Sequence, residues 1–165
     1  MYKQVEIVID QSMRGLCRKP YPGHPKGCPN YNKRHDCPPK VPLIGKVFDL
    51  DEPVYAIWNK FDFVSHTSKM RELHPEWSDR QVECCLYWQG TARKQLKSEV
   101  ELFNLENPGY IVLTTPEACG VNITETMKNI GILLEWPPKM VTYQVALAGK
   151  SVNKSEQNCD IQLSF

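Results

Sequence analysis

The feature that most constrains the fold of this chain is a proline-rich stretch near its N-terminus. Residues 11–46 contain seven of the 13 prolines in the 165-residue sequence. Because proline fixes φ and removes a backbone hydrogen-bond donor, we expect no regular structure from Asp10 to about Pro42. A connection of this length inside a domain is uncommon and is normally functional or disordered. The stretch therefore needs something to order it, and a bound metal is the first candidate.

Three of the seven cysteines, Cys17, Cys28 and Cys37, fall within this stretch and are separated by ten and eight residues. Residues 1–10 are too polar for a signal peptide, and no apolar run reaches the roughly 18 residues that a membrane helix needs. We therefore expect a cytoplasmic protein that does not associate with membranes. In a reducing compartment, clustered thiols are more often metal ligands or catalytic groups than disulfides.

The charges of the chain are unevenly distributed. Residues 11–46 contain eight basic residues and one acidic residue, Asp36, so this segment carries +7 in a chain whose net charge is +1. The remaining residues together carry −6. The positive field around the cysteines stabilises thiolates and would attract an anionic ligand.

The cysteine spacing matches neither the paired ligands of a zinc finger nor the closely spaced ligands of a ferredoxin. A zinc ion would need a fourth ligand, which His24 or His35 could supply. A [4Fe–4S] cluster can be held by three thiolates with one iron left open, and the surrounding positive charge suits that arrangement. We therefore predict a [4Fe–4S] cluster on Cys17, Cys28 and Cys37, with zinc, or no metal, as the alternatives.

The rest of the sequence predicts an α/β fold. Alternating apolar and β-branched residues predict strands over residues 2–9, 53–63, 110–115 and 140–149. Helical spacing predicts helices over residues 65–73, 78–105 and 122–131. We expect one α/β domain, residues 1–150, in which helices pack on a small sheet and residues 11–46 form a long cysteine-rich metal-binding loop. Residues 151–165 are expected to be a polar tail.

Capping residues mark the ends of the predicted helices: Ser65 or Thr67 for the first, Ser78 for the second, and Asn122 with a terminal Gly131 for the third. The second helix has one apolar stripe, which includes Cys85 and Leu86. The core of the domain accounts for this stripe, so the sequence predicts no particular oligomer. Packing also explains the adjacent cysteines 84 and 85, because neighbouring residues on a helix point in different directions. Gln89 lies on the same stripe, so it either caps a backbone carbonyl or belongs to a site.

A second stretch with chemical potential is residues 114–131, where a predicted strand ends, a turn follows and a helix begins. Glu117 and Cys119 lie in that turn. Glu117 is either a general base or a surface carboxylate near the helix start. Cys119 is a fourth cluster ligand, a residue that faces the open iron, or a small buried residue.

Two of these stretches resemble one family. Residues 28–39, CPNYNKRHDCPP, resemble the C-P-x-Y-x₅-C-P-P signature of cysteine-rich proteins known only as predicted metal-binding proteins. Residues 116–131, PEACGVNITETMKNIG, resemble a later motif of that family, although Asn122 stands where the family has aspartate. The resemblance covers about 28 of the 165 residues and implies that Cys28 and Cys37 belong to a metal site. Many relatives carry closely spaced cysteines between the two motifs, whereas this chain has only Cys84 and Cys85 there, so we expect one cluster.

The sequence therefore predicts an iron–sulfur enzyme without redox turnover, in which the open iron acts as a Lewis acid on a small anionic or sulfur-containing substrate. Desulfidases with a three-cysteine cluster are similar in coordination, and both sulfur removal and dehydration fit the prediction. The expected substrate-binding residues are Arg18 and Arg34 for an anionic group, Tyr31 or Trp88 for a planar ring, and Gln89. Glu117 or Cys119 is expected to handle a proton.

The sequence also allows two other functions. The first is a zinc-ordered basic module that contacts nucleic acid, which we do not favour, and the second is a redox carrier or sensor.

Overall fold

The computed structural model describes residues 1–20 and 25–152, and its architecture is mixed α/β. The strands within these ranges are β1 (Tyr2–Gln4), β2 (Tyr55–Trp58), β3 (Phe61–Asp62), β4 (Ile111–Leu113), β5 (Val141–Thr142) and β6 (Val145–Gly149). A four-stranded antiparallel sheet has the order β1-β2-β6-β4, and β3 pairs with β5 in a second antiparallel sheet. The predicted fold class, helices with a small sheet, is confirmed at this level.

The described part of the chain contains α1 (Phe63–Leu73), α2 (Asp79–Val82), α3 (Cys85–Glu106) and α4 (Ile123–Lys128). Short 3₁₀ helices span Gln11–Arg18, Ile44–Lys46 and Pro116–Cys119. No helix in the described ranges combines the length and the apolar character needed to cross a bilayer.

Both faces of the four-stranded sheet are covered by other parts of the chain. Successive residues of β2 and β6 point to opposite faces and so contribute to both of these layers. On one face, three buried residues of the sheet, Ile57, Ala146 and Ala148, pack against α3. The buried residues of α3 in this layer are Leu96, Val100 and Phe103. On the other face, Ala56 and Leu147 join a core with α4, with the end of residues 11–46, called the cysteine segment below, and with neighbouring connections: Val5, Val41, Ile44, Phe48, Cys119, Val121 and Met127. The cysteine segment is thus attached to the layer opposite α3.

The helix predicted from Ser78 to about Leu105 is two helices, and this is a correction. Ser78 forms a capping box with Gln81 and starts α2, but Cys84 has an extended backbone and α3 begins after it. The interruption changes the helical phase, so Leu86 is 83% exposed and Cys85 is also exposed. The prediction that these two side chains pack in the core is therefore wrong.

Trp88, which the sequence offers as a residue for stacking on a substrate ring, explains the interruption. Its indole N–H donates to the Glu83 carbonyl at 3.3 Å, and its ring packs between Phe61 and Phe63 with centroid distances of 5.7 Å. Trp88 is buried in this aromatic cluster. It is a core residue and does not face a ligand.

The strands predicted over residues 53–63 and 140–149 are each divided in two, because the chain passes from one sheet to the other. Asn59 lies at this point and is buried. Its Nδ2 donates to Gln95 Oε1 at 2.9 Å, and its Oδ1 accepts from the backbone N–H of Gln144 at 2.8 Å. These hydrogen bonds satisfy the buried side-chain amide of Asn59. They also hold together the two segments of the chain at the point where the strands change partners.

The N-terminal predictions also need correction. Only Tyr2–Gln4 of the predicted strand 2–9 is a strand, because the following residues turn away to contact α4. There, the Val8 backbone N–H donates to Thr126 Oγ1 at 2.9 Å. The stretch expected to lack regular structure contains the 3₁₀ helix Gln11–Arg18, whose N-cap is Asp10.

The two short helices were predicted well. α1 covers the expected residues, although Asp62 and not Ser65 or Thr67 is its N-cap. The Asn122 side chain accepts from the Glu125 backbone N–H and caps α4 as predicted, and Gly131 follows with a φ of 82°. Of the predicted tail 151–165, residues 153–165 lie outside the described residues. Ser151 forms a β-bridge with Phe48.

Candidate functional site

The cysteine segment is anchored to the connection between β4 and α4. The 3₁₀ helix Gln11–Arg18 packs against the 3₁₀ helix Pro116–Cys119. Just before the first of these, the Asp10 backbone N–H donates to the Gly120 carbonyl at 2.8 Å, and Ile9 forms a β-bridge with Val121. The fold thus brings together the two stretches that the sequence singled out, although they are about 100 residues apart in the chain.

A backbone hydrogen bond joins the first two cysteines. The Cys28 N–H donates to the Cys17 carbonyl oxygen at 2.7 Å. Gly27 makes this approach possible, since its φ is 81° and a Cβ there would lie 2.7 Å from the Cys17 oxygen. His24 lies outside the described residues, so its predicted role as a zinc ligand stays a prediction. His35 is described and exposed.

The third cysteine lies beside an ion pair. The Cys37 thiol donates to Asp36 Oδ1 across 3.8 Å, and the same oxygen lies 3.1 Å from Arg34 Nε. The Cys37 backbone N–H donates to the Arg34 carbonyl at 3.3 Å, which turns the chain around this pair. Arg34 therefore offsets the charge of the carboxylate that touches the thiol.

Arg14 connects the 3₁₀ helix to the end of the cysteine segment. Its Nη2 donates to the carbonyl oxygens of Pro39 at 3.0 Å and Val41 at 2.8 Å. Two hydrogen bonds from one guanidinium hold the chain after Cys37 close to the 3₁₀ helix that contains Cys17. This contact gives Arg14, one of the basic residues of the segment, a structural role that does not require a bound ligand.

The three thiols are near enough to influence one another. Burial raises the pKa of the Cys17 thiol, and the neighbouring Cys28, Cys37 and Glu117 raise it further. Burial also raises the pKa of Cys37, with a further contribution from Asp36. Within residues 1–20 and 25–152, however, no group of three or more His, Cys, Asp or Glu side chains is arranged to hold a metal ion.

A cavity of about 330 Å³ opens at the end of the sheet where β4 ends and β6 begins. Its polar lining comes from four parts of the chain: Arg34 and Asp36 of the cysteine segment, Arg93 of α3, Thr114 and Glu117 after β4, and Gln144 before β6. Asp36 therefore contacts both the cavity and the Cys37 thiol, and Glu117 both lines the cavity and influences Cys17.

Glu117 lies at the N-terminal turn of its 3₁₀ helix, directly after Pro116. Glu117 has exposed surface, yet the protein surrounds its carboxyl group closely enough that desolvation raises its pKa. A carboxyl group of this kind holds a proton more readily than a surface glutamate.

Cys119 is fully buried in the core and is not among the residues that line the cavity. Burial raises its pKa to about 11, against the opposing effect of the Arg14 charge. The neighbouring Glu117 raises this pKa further. The geometry favours the interpretation of Cys119 as a small buried residue.

The other predicted binding residues, Arg18, Tyr31 and Gln89, are not among the residues that line the cavity. Gln89 is half-buried, and its Oε1 accepts from Arg93 Nη2 at 3.3 Å. Arg18 is exposed and Tyr31 is half-buried, both in the cysteine segment. Of the predicted arginines, Arg34 alone lines the cavity.

Sequence reasoning missed Arg93, Thr114 and Gln144. A charged residue on a helix is normally solvated, so nothing in the sequence marked Arg93, although it lies one turn after Gln89. Thr114 was within a predicted strand and Gln144 was in the middle of another. Only the change of sheet at Asn59 places Gln144 in the cavity wall.

No protein-family model matches this chain, and no curated protein or solved structure matches it.

Proposed function

We propose that the protein is an enzyme in which Cys17, Cys28 and Cys37 hold a [4Fe–4S] cluster next to the cavity, and that the cavity binds a small anionic or thiolated substrate. One observation carries the proposal. Asp36 and Glu117 each line the cavity and interact with one of the three thiols, so a ligand in the cavity would lie beside whatever the thiols bind.

The residues fit such a cluster in their chemistry and their surroundings. Thiolates are its usual protein ligands, and in a cubane cluster each thiolate binds a different iron, so the sulfurs need not converge on one ion. Burial and the neighbouring Cys28 and Cys37 raise the pKa of the Cys17 thiol, so a cation that takes up thiolate charge would stabilise the site. The +7 charge of residues 11–46 supports the ionised form. The resemblance of residues 28–39 to a metal-site signature points the same way.

A bound cluster with an open iron would supply Lewis acidity toward a substrate oxygen or sulfur. The protein would supply the remaining functions. Glu117 would hold a proton at its carboxyl group and transfer it to or from the substrate. Arg34 and Arg93, which both line the cavity, would orient an anionic group. Both desulfidase-like and dehydratase-like reactions require these roles.

The first experiment asks whether the cluster exists. Protein expressed and purified without oxygen should be brown and contain close to four irons and four sulfides per chain, as expected for one cubane cluster. Serine at Cys17, Cys28 or Cys37 should reduce the iron content, while Cys85→Ser, a change at an exposed thiol outside the segment, should leave it unchanged. A colourless, iron-free protein that contains zinc would overturn the cluster and favour the zinc-ordered module.

The second experiment asks whether a ligand in the cavity interacts with the proposed cluster. Electron paramagnetic resonance of the reduced protein should change when an anion occupies the cavity. Glu117→Gln keeps the size of the side chain but cannot exchange a proton, so it should retain iron and lose turnover once a substrate is known. If the spectrum responds to no small anion, the protein is better explained as a redox carrier or sensor.

A further inference from the structure

The cavity contains a cation that is not neutralised by the described part of the protein. Arg93 Nη2 donates to the neutral Gln89 amide at 3.3 Å, and none of the ion pairs among the described residues includes Arg93. Arg34, on the cysteine segment, is already paired with Asp36. A ligand anion would therefore meet Arg93 as the available guanidinium, with two donor edges suited to a carboxylate.

The remainder of the lining combines apolar, aromatic and hydrogen-bonding side chains. A simple inorganic anion would not contact the apolar and aromatic ones. Leu96, Ile123 and Val145 contribute apolar surface. Trp136 also lines the cavity and is 70% exposed, so its indole has surface available to a planar group. Thr114 and Gln144 add hydrogen-bonding groups. The volume of about 330 Å³ is near the lower end of the range for small-molecule sites, which runs from roughly 300 Å³ upward, and suits a ligand with a single ring.

We propose that the cavity binds a carboxylate with one aromatic or heteroaromatic ring, with Arg93 binding the carboxylate and Trp136 and the apolar side chains contacting the ring. Phosphate or another wholly polar anion would leave that apolar surface without a partner. That this ligand is the substrate rests on the proposed function, whereas its binding depends only on the cavity.

Benzoate is the probe, added to the full-length protein as purified without oxygen and followed by calorimetry and by tryptophan fluorescence. We expect saturable binding of benzoate, much weaker binding of the uncharged benzamide, and weaker binding of inorganic phosphate. Absence of saturable benzoate binding, equal binding of benzamide, or tighter binding of phosphate would each overturn the proposal.

Variants on one helix locate the anchor. Arg93→Gln should weaken benzoate binding by about tenfold or more, the usual effect of losing a charge-assisted hydrogen bond, and Arg93→Lys should weaken it less. Lys94→Gln makes the same charge change at the next exposed position and should bind benzoate like the wild type. Circular dichroism and the melting temperature show whether each variant is folded.

The failure of this proposal is distinguishable from the failure of the proposed function. If the protein contains no iron but benzoate binds through Arg93, the cluster is wrong and the carboxylate site stands. If the protein contains iron and Arg93→Gln binds benzoate like the wild type, the carboxylate site is wrong and the cluster stands.

Discussion

The backbone N–H of Cys28 lies 2.7 Å from the carbonyl oxygen of Cys17. This hydrogen bond closes the loop between the first two cysteines and brings two thiols of the candidate site together. It forms next to Gly27, which has a positive φ and no Cβ to occupy the space. The conformation of the backbone therefore places these two cysteines near each other.

Gly27→Ala should disrupt this arrangement. The added Cβ would lie 2.7 Å from the Cys17 oxygen and 2.9 Å from the Arg18 carbonyl carbon, and a φ of 81° is unfavourable for alanine. Such backbone strain costs roughly 1–3 kcal/mol, so we expect a lower free energy of unfolding and, if the cluster is present, a lower iron content. Urea unfolding and iron analysis measure both.

Gly15→Ala is the matched control for that change. It lies in the same segment, but a Cβ there meets nothing within 4 Å. We expect stability and iron content close to those of the wild type. If the two alanine variants behave alike, close approach at Gly27 does not position the cysteines.

Arg14→Met should separate the two ends of the cysteine segment. The substitution keeps a long apolar stem but removes the donors to the Pro39 and Val41 carbonyls. Loss of two charge-assisted hydrogen bonds should lower the free energy of unfolding by about 1–3 kcal/mol. Lys19→Met, a change at an exposed position just after the same helix, should have little effect. Equal stability of the two variants would contradict this role of Arg14.

The parts of the fold that sequence patterns predicted well are those determined by local chemistry. Asn122 can cap α4 through its own side chain, and the spacing of Ala92, Leu96, Val100 and Phe103 alone identifies the buried stripe of α3. The interruption before α3 depends on Trp88 packing between phenylalanines that lie more than 20 residues earlier in the chain. Helical periodicity contains no information about such a contact.

The candidate site shows the same division. The cysteines and Glu117 stand out in the sequence because of their residue types and their neighbours. Arg93 and Gln144 reach the cavity only through tertiary structure, since one is an ordinary exposed helical residue and the other depends on the strand division at Asn59. Polar residues that bind ligands from regular elements are hard to separate from solvated ones without the fold.

Thiol reactivity should separate the buried Cys119 from exposed cysteines. Cys119 has no exposed surface and a pKa raised to about 11 by burial, so very little of it is the reactive thiolate at pH 8. Cys85 is exposed on the first turn of α3. Brief treatment of the folded protein with iodoacetamide should modify Cys85 and leave Cys119 intact in peptide mass spectra, and urea should make both reactive. Rapid modification of Cys119 in the folded protein would show that it is accessible and reopen a chemical role for it.

The last prediction concerns the free energy of unfolding at acid pH and its dependence on the imidazole of His66. Its ring packs near Phe61 and Phe63 at centroid distances of 5.8 and 6.3 Å, and Nε2 is buried with no hydrogen-bond partner in the described structure. Burial lowers the pKa of His66 below its ordinary value of 6.5, and the charge of Lys69 adds to this, against a hydrogen bond with the Val82 backbone.

Because the unfolded chain binds the proton more readily, the contribution of neutral His66 is fully present above pH 6.5 and is lost as the pH falls through the lowered pKa. His66→Phe should therefore lose less stability than the wild type when the pH is lowered from above 6.5 to about two units below it. Urea unfolding at a series of pH values provides the comparison, and parallel curves for wild type and His66→Phe would show that protonation of His66 does not drive the acid loss.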